Sequence, residues 1–209
     1  MQNKNNKKNG YTIIETMIAI SLFLVVVISG MSAFLNANLL YQKSRDQRSI
    51  MDNLSFIIED MSRNLRTGYH YHCFISGDVI PTSPASAMSS SKSCASGWGI
   101  AFETDTGLPG NDNDQWVYYI GQDNSLPSHP LAIWKSTVGP YVASSFVKLT
   151  PDEVVLDPVS SFSVLGAESI ATDSQQPFVT IKLVGSVKYK NITTPFSLQT
   201  SVSQRLIDV

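Results

Sequence analysis

Glu15 is the one charged side chain between Tyr11 and Leu35. A carboxylate in a bilayer costs on the order of 2.5–3.5 kcal/mol at the centre and less near an edge. Such a cost persists where something offsets it. Gly10 lies on the near side of the run, between the basic leader and the apolar segment, so a cut after it would keep that segment in the mature chain. The plainer reading is a carboxylate that snorkels to the membrane interface. Gly10, Tyr11 and Glu15 are therefore the first residues that need an explanation.

Other residues have types and spacings that can do chemistry. Cys73 and Cys94 are the only two cysteines and bracket a Pro/Ser-rich stretch. In an oxidising compartment a bridge there closes about 20 residues and contributes on the order of 3 kcal/mol. The run HYHC also sets His70 and His72 beside Cys73, a rival metal reading. Strand alternation would put the two imidazoles on one face and Cys73 on the other. The stretch GNDNDQW supplies Asp112 and Asp114, with Asp105 nearby. These are oxygen donors of the kind calcium takes, but an EF-hand counted from Asp112 lacks its Gly and its Glu. A solvated Asx-rich turn is the alternative. No G-x-S-x-G, H-E-x-x-H or P-loop is present, and His129 sits in a turn-like PSHP. The expectation is a non-enzyme with no cofactor, calcium excepted. Asn191-Ile192-Thr193 fits a glycosylation sequon.

The elements that must position these residues follow from hydropathy. Tyr11 to Leu35 is a 25-residue apolar run, about 37 Å as a helix and enough to cross a hydrocarbon core of about 30 Å. Lys4, Lys7 and Lys8 precede it without an acid, so the leader is expected in the cytoplasm and the rest outside. A secretory signal would carry small residues at a cleavage site beyond the run; NANLLYQKSRDQRS has no strong pattern of that kind. A buried core helix is the alternative to a span. Removing residues 1–10 leaves 12 basic against 17 acidic side chains, a balance that argues against nucleic acid as a partner.

From Asn36 to Arg66 there is no Pro or Gly, and Ile50, Leu54, Ile57, Ile58, Met61 and Leu65 recur at mostly helical steps. One helix is expected from Tyr11 to about Arg66, with Gly68 as its stop. Beyond it, strands are read at Trp98–Glu103, Trp116–Ile120, Leu131–Lys135, Ser145–Leu149, Ser161–Gly166, Phe178–Tyr189 and Thr194–Arg205. LTPDEVVLDPVSSFSV is a candidate strand, turn and strand, and KNIT a hairpin linker. The last strand turns Phe196, Leu198, Thr200 and Val202 to one face. An antiparallel sheet packed on the helix stripe is the simplest architecture. The expected organisation is a leader at 1–10, a transmembrane half-helix at 11–35, an extracytoplasmic half-helix at 36–68 and a β-rich head at 69–209.

A short basic leader ending in Gly10, then Tyr11, then Glu15 inside an apolar helix resembles the class III signal of type IV pilins and type II secretion pseudopilins. Tyr11 departs from the Phe commonest there. The resemblance implies an α+β pilin-like fold, cleavage after Gly10 by a prepilin peptidase, N-methylation of Tyr11 and assembly into a helical filament. It implies that Glu15 meets the amine of a neighbouring subunit. The implied partners are other pilins or pseudopilins, the peptidase and methylase, an inner-membrane assembly platform and the lipid bilayer. The implied place is the bacterial inner membrane, then a pilus or pseudopilus. The tail FSLQTSVSQRLIDV and the helix end MDNLSFIIEDMSRNLRTGYHYHC are similar to minor pseudopilin J and minor pilin W. That likeness implies a minor subunit near the tip, and Glu15 separates it from the Glu-lacking terminal cap. The alternative is a filament-displayed or membrane-tethered binding module, for adhesion or DNA uptake.

Overall fold

The computed structural model describes residues 10–80, 90–108, 111–168, 175–189 and 192–205, apart from the side chains of Asp46, Tyr189 and Ile192. The leader lysines, most of the Ser/Pro stretch and Asn191 of the sequon lie outside the described residues. Two compact units are present, Met1–Asp46 and Gln47–Val209. Helix α1, Ile13–Thr67, contributes to both.

In the first unit the helix is exposed on every side. Ile13, Phe23 and Phe34 are 80%, 66% and 71% exposed, and none of the most apolar 18-residue window is buried. That excludes the core-helix alternative for this segment. A helix apolar all round needs an apolar surrounding, and its length and composition suit a membrane crossing.

The second unit is a helix segment packed on a sheet. Ile50, Leu54, Ile57, Met61 and Leu65 are its buried stripe, and Ile58 is partly buried against the same core. The strands are β1 Tyr69–Phe74, β2 Cys94–Gly97, β3 Gly99–Glu103, β4 Trp116–Gln122, β5 Leu131–Ser136, β6 Val147–Lys148, β7 Val154–Leu156, β8 Ser161–Leu165, β9 Phe178–Tyr189 and β10 Ile192–Ser203. Their order is β1-β3-β4-β5-β7-β9-β8-β2, with β10 on β9 and β6 on β5, and every ladder is antiparallel. This is the α+β, pilin-like arrangement of one long N-terminal helix followed by an antiparallel head.

The longest hairpin shows why the sheet forms. Val179, Ile181, Leu183 and Val187 alternate inward along β9, and Phe196 and Val202 do so on β10. Gly185 interrupts the apolar face because a Cβ there would lie 2.3 Å from the Val155 carbonyl. β7 and β8 share one edge of β9, and Ser160 bridges them, its hydroxyl donating to the Val184 carbonyl at 2.8 Å. Both ends of the strand path then meet. β2 and β3 are separated only by Trp98, whose N–H donates to the Phe74 carbonyl at 2.9 Å.

The structure departs from the sequence expectations at four places. The strand expected at Ser145–Leu149 is shortened to the two-residue β6, because a 3-10 turn at Ala143–Ser145 takes its start. β1 and β2 are additions to the expected strands: β2 is small and polar, and its strand character comes from pairing with β8. Gly68 does not end the helix by adopting a left-handed conformation. It is required because a Cβ would sit 2.4 Å from Phe102 Cδ2. Alternation through HYHC is broken, because His70 takes φ 57° and β1 gains one residue against β3 between Tyr69 and His72.

Candidate functional site

The N-terminal residues form a helix start with one ionisable side chain. Thr12 is the cap: its Oγ1 accepts from the Glu15 N–H at 3.3 Å, and its carbonyl accepts from the Thr16 N–H at 3.2 Å. Glu15 thus sits in the first turn, where the helix dipole favours a negative charge. The Glu15 carboxylate has no hydrogen-bond or ion-pair partner among the described residues. Tyr11 is 82% exposed.

Gly10 carries a further signal. A Cβ added there would meet nothing within 4 Å, and its φ is not in the positive range. The fold therefore has no need of glycine at position 10.

The other candidates lie in the head. Cys73 and Cys94 are disulfide-bonded, with Cα atoms 5.9 Å apart. Cys73 therefore offers no thiolate to a metal, and the His72 Nδ1 pairs with the Ser90 carbonyl at 2.7 Å. Burial holds the His72 imidazole below its usual range. Asp105 is exposed in the turn closed by the Gly107 N–H on the Thr104 carbonyl. Asp112 and Asp114 are half-buried and stand in a different environment, with Glu103 and Gln115. Among the described residues, no three His, Cys, Asp or Glu side chains group so as to hold a metal ion by themselves.

Sequence reading missed Glu103 and Gln115. Glu103 closes a strand in which all five residues are buried, and Gln115 sits beside Asp114. Burial pushes the Glu103 carboxyl above the usual carboxylate range; Gln115 and His70 oppose this, and Asp114 and Asp112 add to it. A carboxylate ending so apolar a strand was the available signal.

These features define a class: a head on an apolar membrane-type helix, with an unhindered glycine and an unpaired carboxylate at the helix start. Residues 5–31 match the family model described as the prokaryotic N-terminal methylation motif. The motif supports the type IV pilin and pseudopilin family, and with it a structural subunit rather than an enzyme. It implies processing by a prepilin peptidase and assembly with other pilins, and with the apolar helix it fits membrane anchoring. No curated protein and no solved structure matches the chain.

Proposed function

We propose that the chain is a minor structural subunit of a type IV pilus or type II secretion pseudopilus. Cleavage after Gly10 frees the Tyr11 amine, and Glu15 of one subunit pairs with that amine of the next. The contact is heterologous, and heterologous contacts that do not close generate helical filaments. Two partly desolvated opposite charges attract strongly, and leaving either alone is costly. The observation that carries this reading is the unpartnered Glu15 in a helix exposed on all sides, directly after a glycine the fold does not use. Minor status rests on the large head and its likeness to the J and W types. In this reading residues 1–10 are the leader, 11–35 the span, 36–68 the outer half-helix and 69–209 the head, with the amino terminus cytoplasmic.

Mass spectrometry of the mature amino terminus tests the processing. N-methylated Tyr11 is expected; an intact Met1 in cells that assemble the filament would overturn the reading.

One observation favours a second reading, a displayed binding module. Trp98, Tyr119, Trp134 and Phe146 form a half-buried aromatic array, with Tyr119 and Trp134 stacked at 6.2 Å and Phe146 edge-on to Tyr119 at 5.0 Å. Aromatic faces of this kind can bind apolar ligand surfaces. Deleting a structural subunit removes filaments, whereas deleting an adhesin leaves filaments that no longer attach.

A further inference from the structure

The head contains a set of buried acceptor oxygens that the filament reading does not use. Glu103 and Gln115 are only 1% and 2% exposed. Glu103 Oε2, Gln115 Oε1, Asp114 Oδ1 and Asp112 Oδ1 are all buried, and none has a hydrogen-bond partner among the described residues. The set contains acceptors only.

The other arm of each side chain is anchored. The Gln115 Nε2–H donates to Glu103 Oε1 at 2.7 Å. The Leu108 N–H donates to Asp114 Oδ2 at 3.0 Å, and the Tyr141 hydroxyl donates to Asp112 Oδ2 at 2.8 Å. Each carboxylate is therefore oriented by a protein donor while its second oxygen is left over, and Gln115 is oriented by its own amide N–H while its one oxygen is left over. Anchoring of this kind is how outer-shell groups orient metal ligands. The carboxylates are also close enough to Glu103 to disfavour its charge. No Lys or Arg forms an ion pair with any of the three among the described residues, and the His70 imidazole offsets the repulsion at Glu103 only in part.

Leaving buried acceptors unmet costs on the order of 1–3 kcal/mol each, and more for charged groups. Water would supply donors but would not relieve the repulsion between like charges. A cation does both. We infer that Glu103, Asp114 and the Gln115 amide oxygen bind a calcium-class divalent cation, with Asp112 adding negative charge beside it. Calcium accepts a mixture of carboxylate, amide and carbonyl oxygens in flexible geometry, whereas magnesium demands a near-ideal octahedron and keeps its water. Two carboxylates and an amide, not three carboxylates, make the set, so no acidic triad marks it. Asp105 takes no part. The inference is independent of the filament reading.

The test uses the full chain in detergent after EDTA treatment. Calcium, titrated over about 10⁻⁵ to 10⁻² M, should raise the unfolding temperature of the head. Terbium luminescence sensitised by Trp116, Tyr69 or Tyr141 should appear and then fall as calcium displaces it. Asp114→Asn and Glu103→Gln should lose both responses while still unfolding cooperatively in EDTA. If Glu103→Gln does not fold, Asp114→Asn, at a half-buried position, carries the test. The inference is overturned if wild type shows no calcium response or if the variants respond as wild type does. Stabilisation by acid with none by calcium would also overturn it, because the occupant would then be a proton.

Discussion

Glu15 serves its own helix as well as any neighbour. It is the third residue after the Thr12 cap and lies in the first turn, so removing it weakens the helix start and removes a charge together. Glu15→Gln separates the two effects, because it keeps the shape and hydrogen-bonding capacity. Filament counts by electron microscopy should fall as far for Glu15→Gln as for Glu15→Ala. Equal assembly of Glu15→Gln and wild type would show that the charge is not needed. In the head, Asp123 is a second instructive carboxylate. Lys148 Nζ donates to it at 2.7 Å, and the hydroxyl and N–H of Ser125 donate at 2.6 and 2.9 Å. Together these hold its carboxyl at about 2. A folded value below the unfolded one, about 3.9, means its stabilisation is full above that unfolded value. It is lost as pH falls through about 2. Asp123→Asn should flatten the part of an acid-denaturation curve that lies between about pH 4 and pH 2.

α1 combines two helices of different design in one element. Its outer segment behaves as an amphipathic helix: Leu54 and Met61 are fully buried, while Phe56, between them in sequence, is exposed. Leu54→Ala should destabilise the head by about 2–5 kcal/mol in chemical denaturation. The apolar segment has no such face. Gly30 lies inside it, and a Cβ added there would meet nothing within 4 Å, although glycine in a helix interior costs about 1 kcal/mol relative to alanine. As at Gly10, nothing among the described residues calls for glycine there, and on the proposed filament reading the call comes from close approach by another helix. Gly30→Leu should leave expression and membrane insertion unchanged and reduce filament number. Val25 to Gly30 is helical here, yet made of weak helix formers. Lower amide protection in the filament than in the detergent-solubilised subunit is the expected sign of local melting on assembly.

Across the head, one covalent bond joins the two ends of the strand path. Cys73 lies on β1 and Cys94 on β2, 21 residues apart in sequence. The Lys92 N–H donates to the Tyr71 carbonyl at 2.9 Å, and the Cys73 N–H donates to the Lys92 carbonyl at 3.0 Å. The Glu168 carboxylate holds Ser93 in place through its N–H and its hydroxyl, at 2.9 and 2.5 Å. Replacing both cysteines by serine should lower head stability by about 3 kcal/mol, read from denaturant unfolding. Wild-type protein should gain about two daltons on reduction, one hydrogen per sulfur.

Much of this could be read from residue order alone, because the signals are local. A run from Tyr11 to Leu35 with one charge declares a helix that needs an apolar surrounding on nearly every side. The stripe from Ile50 to Leu65 declares its buried face through helical spacing, and Phe196 to Val202 does so through strand spacing. What residue order does not carry is anything that depends on who the neighbour is. β2 is a strand because β8 lies beside it, and Gly68 is glycine because Phe102 packs there. His70 breaks the alternation because β1 bulges against β3. Glu103 meets Gln115, and comes within range of the Asp112 and Asp114 charges, only once the end of β3 and the start of β4 are paired. Side-chain periodicity reports each segment's own solvent contrast, whereas close approach, bulges and orphaned oxygens arise between segments, and only folding brings those together.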